Sequence, residues 1–181
     1  MIGEEIQELL KKYAEIVVSE AKENLISKGR AGALSESISY QLETEADAFL
    51  LDFLMEDYGP FIDEGVQGSN PSGIYKNNPD KNGVQKAPLS QFKYTSKMPP
   101  MQPLASWAKK KNIRFRNKLG QYARGSNIQM GFALQRSIFF QGITPTYFFS
   151  KPYNANLDML DKGILEAFAL DIEKAIILGT K

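Results

Sequence analysis

Residues 49–68 read FLLDFLMEDYGPFIDEGVQG, and the change of pattern within them decides the class of fold. The first half alternates. Phe49, Leu51, Phe53 and Met55 fall on one face at period two, which predicts a strand over 48–56. Leu50 and Leu54 on the opposite face predict that this side is partly covered as well, with Asp52 interrupting it. A weaker strand over 40–43 precedes it, and the polar run 44–47 reads as the turn between them. The second half, DYGPFIDEGVQG over 57–68, keeps neither a strand nor a helix period. Gly59 and Gly65 permit turns that a side chain obstructs, and Pro60 suits the start of a helical turn. Tyr58, Phe61, Ile62 and Val66 are expected to anchor this corner on the sheet, with Asp63 and Glu64 exposed at its rim.

Helical periods flank this strand-and-corner unit. Over 4–27, Ile6, Leu9, Leu10, Tyr13, Ile16, Val17, Ala21 and Leu25 recur at i, i+3, i+4 and i+7. Glu4, Glu5 and Glu8 suit the positive end of that helix, and Gly29 supplies a left-handed stop. A short helical turn is expected over 34–38. A helix over 104–111 points Trp107 and Ala108 inward, and one over 126–141 starts on Ser126 or Asn127 as cap. A last helix over 156–178 carries Leu157, Leu160, Ile164, Leu165, Phe168, Ile172, Ala175 and Ile176 as an apolar stripe, read as core or as docked on the first helix. Between corner and third helix, 66–103 holds six prolines and three glycines without sustained periodicity. The chain is therefore expected to be α+β: a small antiparallel sheet packed by three to four helices, one domain over 1–181, with 66–103 as an extended loop or arm. Ile74, Tyr75, Phe92, Tyr94 and Met98 in that arm suit packing on something, a neighbouring subunit included.

Composition narrows the chemistry. The 181 residues include no cysteine and no histidine, which removes disulfides, thiolate nucleophiles, imidazole bases and Cys/His zinc sites. A carboxylate site for magnesium or calcium stays open, but the closely spaced Asp/Asn of a calcium loop is missing, and no cofactor or metal is expected. No apolar run approaches the ~20 residues of a membrane span, and the acidic amphipathic start is unlike a signal peptide. Synthesis in a cytoplasm is the expectation.

The net charge of +1 hides a strong asymmetry. Residues 1–80 carry 16 acids and 6 bases, whereas 81–157 carry 13 bases and no acid. Clustered charge of this kind attracts a surface of opposite sign. Lys109, Lys110, Lys111, Arg114, Arg116, Lys118 and Arg124 are interleaved with Phe115 and Tyr122. Three uses fit them: a solvated or internally paired surface, docking of a subunit or partner, or sequence-independent contact with nucleic-acid phosphates. Asp57, Tyr58, Asp63 and Glu64 form the acidic counterpart. Asp57, Asp63 and Glu64 could also be read as a carboxylate pair for acid–base catalysis. Nothing else in the chain supports that chemistry, so no enzyme is expected. Tyr147, Phe148, Phe149 and Tyr153 lie between Pro145 and just past Pro152, which are expected to hold the segment extended. They serve either as core or as a docking cluster for a neighbouring assembly partner.

Four motifs in order carry a resemblance: DYGPFIDEGVQG, PLASWAKKKNI, GFALQRSI and GITPTYFFSKP. Together, over about 34–152, they resemble the neck or tail-completion (head–tail connector) proteins of tailed bacteriophages. The positions that match are Tyr58, Gly59, Gly65, Val66, Trp107, Lys111, Ala133, Arg136, Ser137, Ile138, Gly142, Ile143, Pro145, Phe148 and Phe149. The long loop over 66–103 departs from the shorter family form. The resemblance implies a structural virion protein made in the host cytoplasm. It implies a homo-oligomeric ring around the DNA channel, six- or twelvefold, whose partners are portal, connector or tail proteins. Packaged DNA is a further candidate partner, contacted without sequence preference. The competing readings are a nucleic-acid-binding module outside any virion and, further off, a small carboxylate enzyme.

Overall fold

The structure, a computed structural model, describes residues 3–30, 32–45, 48–69 and 86–179, with side chains described to residue 177. Six helices and two two-stranded antiparallel sheets make the fold α+β among these residues. The chain divides into two compact units, Met1–Gly59 with Tyr147–Lys181, and Pro60–Thr146.

The first unit is built on an antiparallel pair of helices, α1 (Glu4–Ser27) and α6 (Ser150–Gly179). Tyr13, Ala14, Val17, Ala21 and Leu25 form the buried face of α1, the stripe that the sequence period marks. Its C-terminus closes as expected on Gly29, at φ 67°. Gly29 N–H donates to Ile26 O and Arg30 N–H to Leu25 O, the paired bonds that satisfy the last carbonyls. The helix α2 (Ala33–Ser37) then leads into β1 (Ser39–Thr44), which pairs with β2 (Phe49–Leu54) in the register Tyr40 opposite Phe53 and Leu42 opposite Leu51. Tyr40, Leu42, Phe49, Leu51 and Phe53 are the half-buried face of this hairpin. The other face is not covered: Leu50 and Leu54 are each 47% exposed, beside Gln41, Glu43 and Asp52.

Two readings of the C-terminal region need correction. The helix starts at Ser150, six residues before the expected position, and Pro152 does not hold an extended strand. A proline in the first helical turn removes only an N–H that has no intrahelical partner there. Most of the expected apolar stripe is also not the buried face: Ile164, Leu165, Phe168, Ile172 and Ile176 are exposed, whereas Leu157, Leu160 and Ala175 are half-buried. Gly163, whose missing side chain leaves room for Leu9, lies with buried Ala167 and Asp171 against α1. Small residues let the helices approach, and the bulky stripe is left outside.

The second unit centres on the corner. α3 (Gly59–Asp63) is the helical turn that Pro60 starts, and it runs into this unit. β3 (Val66–Gln67) pairs with β4 (Gly142–Ile143), so the chain ends of the unit meet. The described end of the expected arm is folded back on β3. Gln67 N–H donates to Phe92 O, Tyr94 N–H to Gln67 O, and Ser90 Oγ to Gly65 O at 2.7 Å. Phe92 stacks on Phe61 at 4.3 Å, and Tyr94 meets Phe139 at 6.0 Å. These aromatics therefore pack within their own unit. Ile74 and Tyr75 lie outside the described residues.

α4 (Met101–Lys110) and α5 (Asn127–Gln141) complete the unit. Gly131 admits the backbone of Ala105 at their crossing. Ser126 caps α5 reciprocally with Gln129, as the sequence allows. α4 closes on Asn112 in the left-handed conformation, φ 53°, with Ile113 N–H on Ala108 O. Ala108 is fully buried but Trp107 is 48% exposed, which corrects its inward placement.

Candidate interaction surfaces

The acidic corner separates into members with different environments. Asp57 and Tyr58 are exposed, and Glu64 accepts from Gln91 Nε2 at 3.0 Å. Asp63 is only 6% exposed, which corrects its expected place at the rim. It closes the helical turn α3, whose last carbonyls meet the segment leaving β4. There Thr146 donates its N–H to the carbonyls of Ile62 and Asp63, and its hydroxyl to Ile62 O at 2.7 Å. Gly65, at φ 73°, completes the turn where the backbones of Ile143 and Pro145 leave no space for a Cβ. The corner joins two motifs almost eighty residues apart into one ladder. It leaves Asp57 exposed, Glu64 half-buried and Asp63 buried, three different environments. Among the described residues there is no cluster of three acids that could hold a metal ion.

The seven expected cations are all exposed: Lys109, Lys110, Lys111, Arg114, Arg116, Lys118 and Arg124. None of them forms an ion pair among the described residues. Residues 113–124 fold as a tight hairpin, with Arg116 bridged to Tyr122 and Ala123 N–H donating to Phe115 O. Asn117 Oδ1 accepts from the N–H groups of Leu119 and Gln121, fixing the tip, and Gly120 takes φ 78°. The Arg116 guanidinium lies 4.7 Å from the Tyr122 ring centre and Arg114 lies 5.7 Å away. An open cleft of about 320 Å³ runs between Arg114, Phe115, Arg124 and Met130.

The charge asymmetry follows the division into units. The unit containing α1 and α6 holds 18 acids and 9 bases, a balance of −9. The unit containing α4 and α5 holds 3 acids and 13 bases, a balance of +10.

The expected aromatic docking cluster is mostly core. Phe148 is fully buried, and Phe149 and Tyr153 join Tyr13 and Phe53 in edge-on contacts of 5.2 to 6.3 Å. Only Tyr147 of the four is exposed, at 48%. Tyr13 donates its hydroxyl to Tyr153 O at 3.0 Å. Burial, with Tyr153 beside it, pushes the Tyr13 phenol up to about 12.

Asp171 is a residue that sequence reasoning missed. It is 1% exposed on the α1 side of α6 and accepts from Glu5 N–H at 3.1 Å and Ile6 N–H at 3.3 Å. α1 starts on Gly3, which has no side chain to cap it. Asp171 caps that helix from another helix instead. Burial opposes its ionisation. The N–H groups of Glu5, Ile6 and Gly3, with the Lys174 ammonium, outweigh burial and hold the carboxyl below its usual range. Lys174 in turn pairs with Glu5. The signal in the sequence was an aspartate directly after an apolar helical run, AFALD over 167–171.

Comparison with known proteins gives no family: no family model, no curated protein and no solved structure matches this chain. No helix among the described residues is long and apolar enough to cross a membrane.

Proposed function

We propose that this chain is a structural ring subunit of the head–tail neck of a tailed bacteriophage, of the tail-completion or connector kind. The observation that carries the reading is the joining of its motifs. The corner DYGPFIDEGVQG and the segment GITPTYFF, which carry the resemblance together, form one antiparallel ladder locked by Thr146 on Ile62 and Asp63. A junction tied in this way suits a subunit whose chemistry is that of assembly. Exposed apolar side chains on both units, Leu50, Leu54, Phe168 and Ile176 on one and Ile128 and Phe132 on the other, are the kind of surface that subunits bury. A heterologous contact between such surfaces closes into a ring when the rotation fits.

Deleting the gene from its phage tests this reading. Filled heads and free tails that fail to join, restored by the protein supplied in trans, support it. Normal virions without the protein refute it.

A second reading has its own observation. Seven exposed cations, with Arg114 and Arg116 around Tyr122, suit a phosphate backbone. A DNA-binding module outside the virion predicts salt-sensitive affinity for any duplex and no assembly defect.

A further inference from the structure

The apolar stripe of α6 faces outward. Ile164, Phe168, Ile172 and Ile176 follow one another at i+4, with Leu165 beside them, and all five are exposed, Leu165 at 74% and Ile176 at 63%. Asp158 and Asp161, both exposed, head the same side of the helix, with exposed Lys162 next to them, which leaves that end net negative. On the other unit, α5 carries a matching row. Ile128 is 65% exposed and Phe132 50%, and Arg136 follows at the next i+4 step with its guanidinium 5.8 Å from the Phe132 ring. Each row is an apolar ridge with charge at one end, acidic on α6 and basic on α5.

We infer that α6 of one copy docks on α5 of a second copy, ridge into groove, and that this contact is the seam between adjacent subunits. The inference rests on the ring-subunit reading and names its interface. Three features select this occupant. Rows spaced by four residues interdigitate in the commonest helix-packing class. An antiparallel crossing brings Asp158 and Asp161 of α6 to Arg136 of α5 while the apolar rows overlap. The units that present these helices carry −9 and +10, so α6 against α6 repels and α6 against α5 attracts. Because the two surfaces differ, the contact is heterologous and propagates from copy to copy, as a ring requires.

Charge reversal tests the seam in the full-length protein. Asp158→Arg/Asp161→Arg makes the α6 ridge basic, and Arg136→Glu makes the α5 ridge acidic. All three positions are exposed, so circular dichroism is expected to find both variants folded. Sedimentation velocity over a concentration series should find the wild-type chain self-associating, less so in high salt. Either variant alone should associate about tenfold more weakly, a loss of about 1.4 kcal/mol, and the equimolar mixture should recover. Phe168→Ser should weaken association without recovery by either partner.

A wild-type chain that stays monomeric at low salt up to its solubility limit overturns the seam. So does association that neither charge reversal nor Phe168→Ser weakens, or a mixture no stronger than its components. Binding of mixed-sequence duplex DNA that Arg136→Glu abolishes, with self-association untouched, assigns the basic ridge to DNA and overturns it too. The two proposals fail separately. Gene deletion that leaves virions normal refutes the neck reading even if the mixture recovers, and a deletion that blocks joining leaves that reading standing if the seam variants behave as wild type.

Discussion

Replacing Asp171 by alanine removes the cap that α6 provides to α1. Two N–H groups in the first turn of a 24-residue helix lose an ionised acceptor, at 3.1 and 3.3 Å, in a buried setting. Loss of an N-cap costs about 1 kcal/mol, and the charge at the positive end of the helix adds up to about 1 more. The expected loss is about 2 kcal/mol, or a fall in Tm of about 4–8 °C for a chain of this size. Thermal unfolding followed by circular dichroism at pH 7 reads it directly. Acid supplies the control. The Asp171 carboxyl is held below its usual range in the folded protein. Its contribution is therefore complete above the unfolded pKa of about 3.9 and is lost as pH falls through the folded value. The Tm gap between wild type and Asp171→Ala should be full at pH 7 and close at the acid end. Equal Tm values at pH 7 refute the cap. A gap that persists undiminished in acid assigns the loss to packing instead.

Tyr13→Phe removes the hydroxyl bond to Tyr153 O and is expected to cost about 1 kcal/mol in urea unfolding. Tyrosinate absorbance should show one phenol in the wild type titrating only near about 12, absent from Tyr13→Phe. Since that folded pKa lies above the unfolded value, stability falls as pH rises from about 10 through about 12, and less so in the variant. Gly142→Ala places a Cβ on the Val66 carbonyl at φ 87°, ψ −169°, a region nearly closed to other residues. It should cost about 3 kcal/mol and expose the β3–β4 junction to limited proteolysis. Asp57→Asn, at an exposed position, should leave the unfolding free energy unchanged to within about 0.5 kcal/mol, whereas Asp63→Ala at a buried one should cost about 1–3 kcal/mol.

Local signals were legible in the sequence where local physics decides the outcome. The period and glycine stop of α1, the Ser126–Gln129 cap of α5 and the alternation of β2 each map onto an observed element. Pro60 and Gly65 marked the corner correctly. What periodicity could not supply was which of two faces a tertiary neighbour would take. The bulky stripe of α6 looked like core, yet α1 packs on the side where Gly163 and Ala167 permit close approach. Leu50 and Leu54 alternate like buried residues and remain outside. The cap by Asp171 spans more than 160 positions of sequence, and no spacing rule reaches that far. Asp63 lies inside where it closes the helical turn begun at Pro60, next to the carbonyls that bond Thr146, a long-range contact that a reading of residue types alone does not contain. The aromatic cluster followed the helix start. Once α6 begins at Ser150, Phe149 and Tyr153 stand one turn apart and meet Phe53.

The central claim is that this chain builds a ring in the neck of a phage. Electron microscopy of the purified full-length protein mixed with portal-bearing heads from the deletion phage tests it most directly. The account predicts a closed six- or twelvefold ring of this chain seated on the portal vertex, after which added tails join. Heads that gain no density at the vertex, with the chain found instead along free DNA, would contradict it.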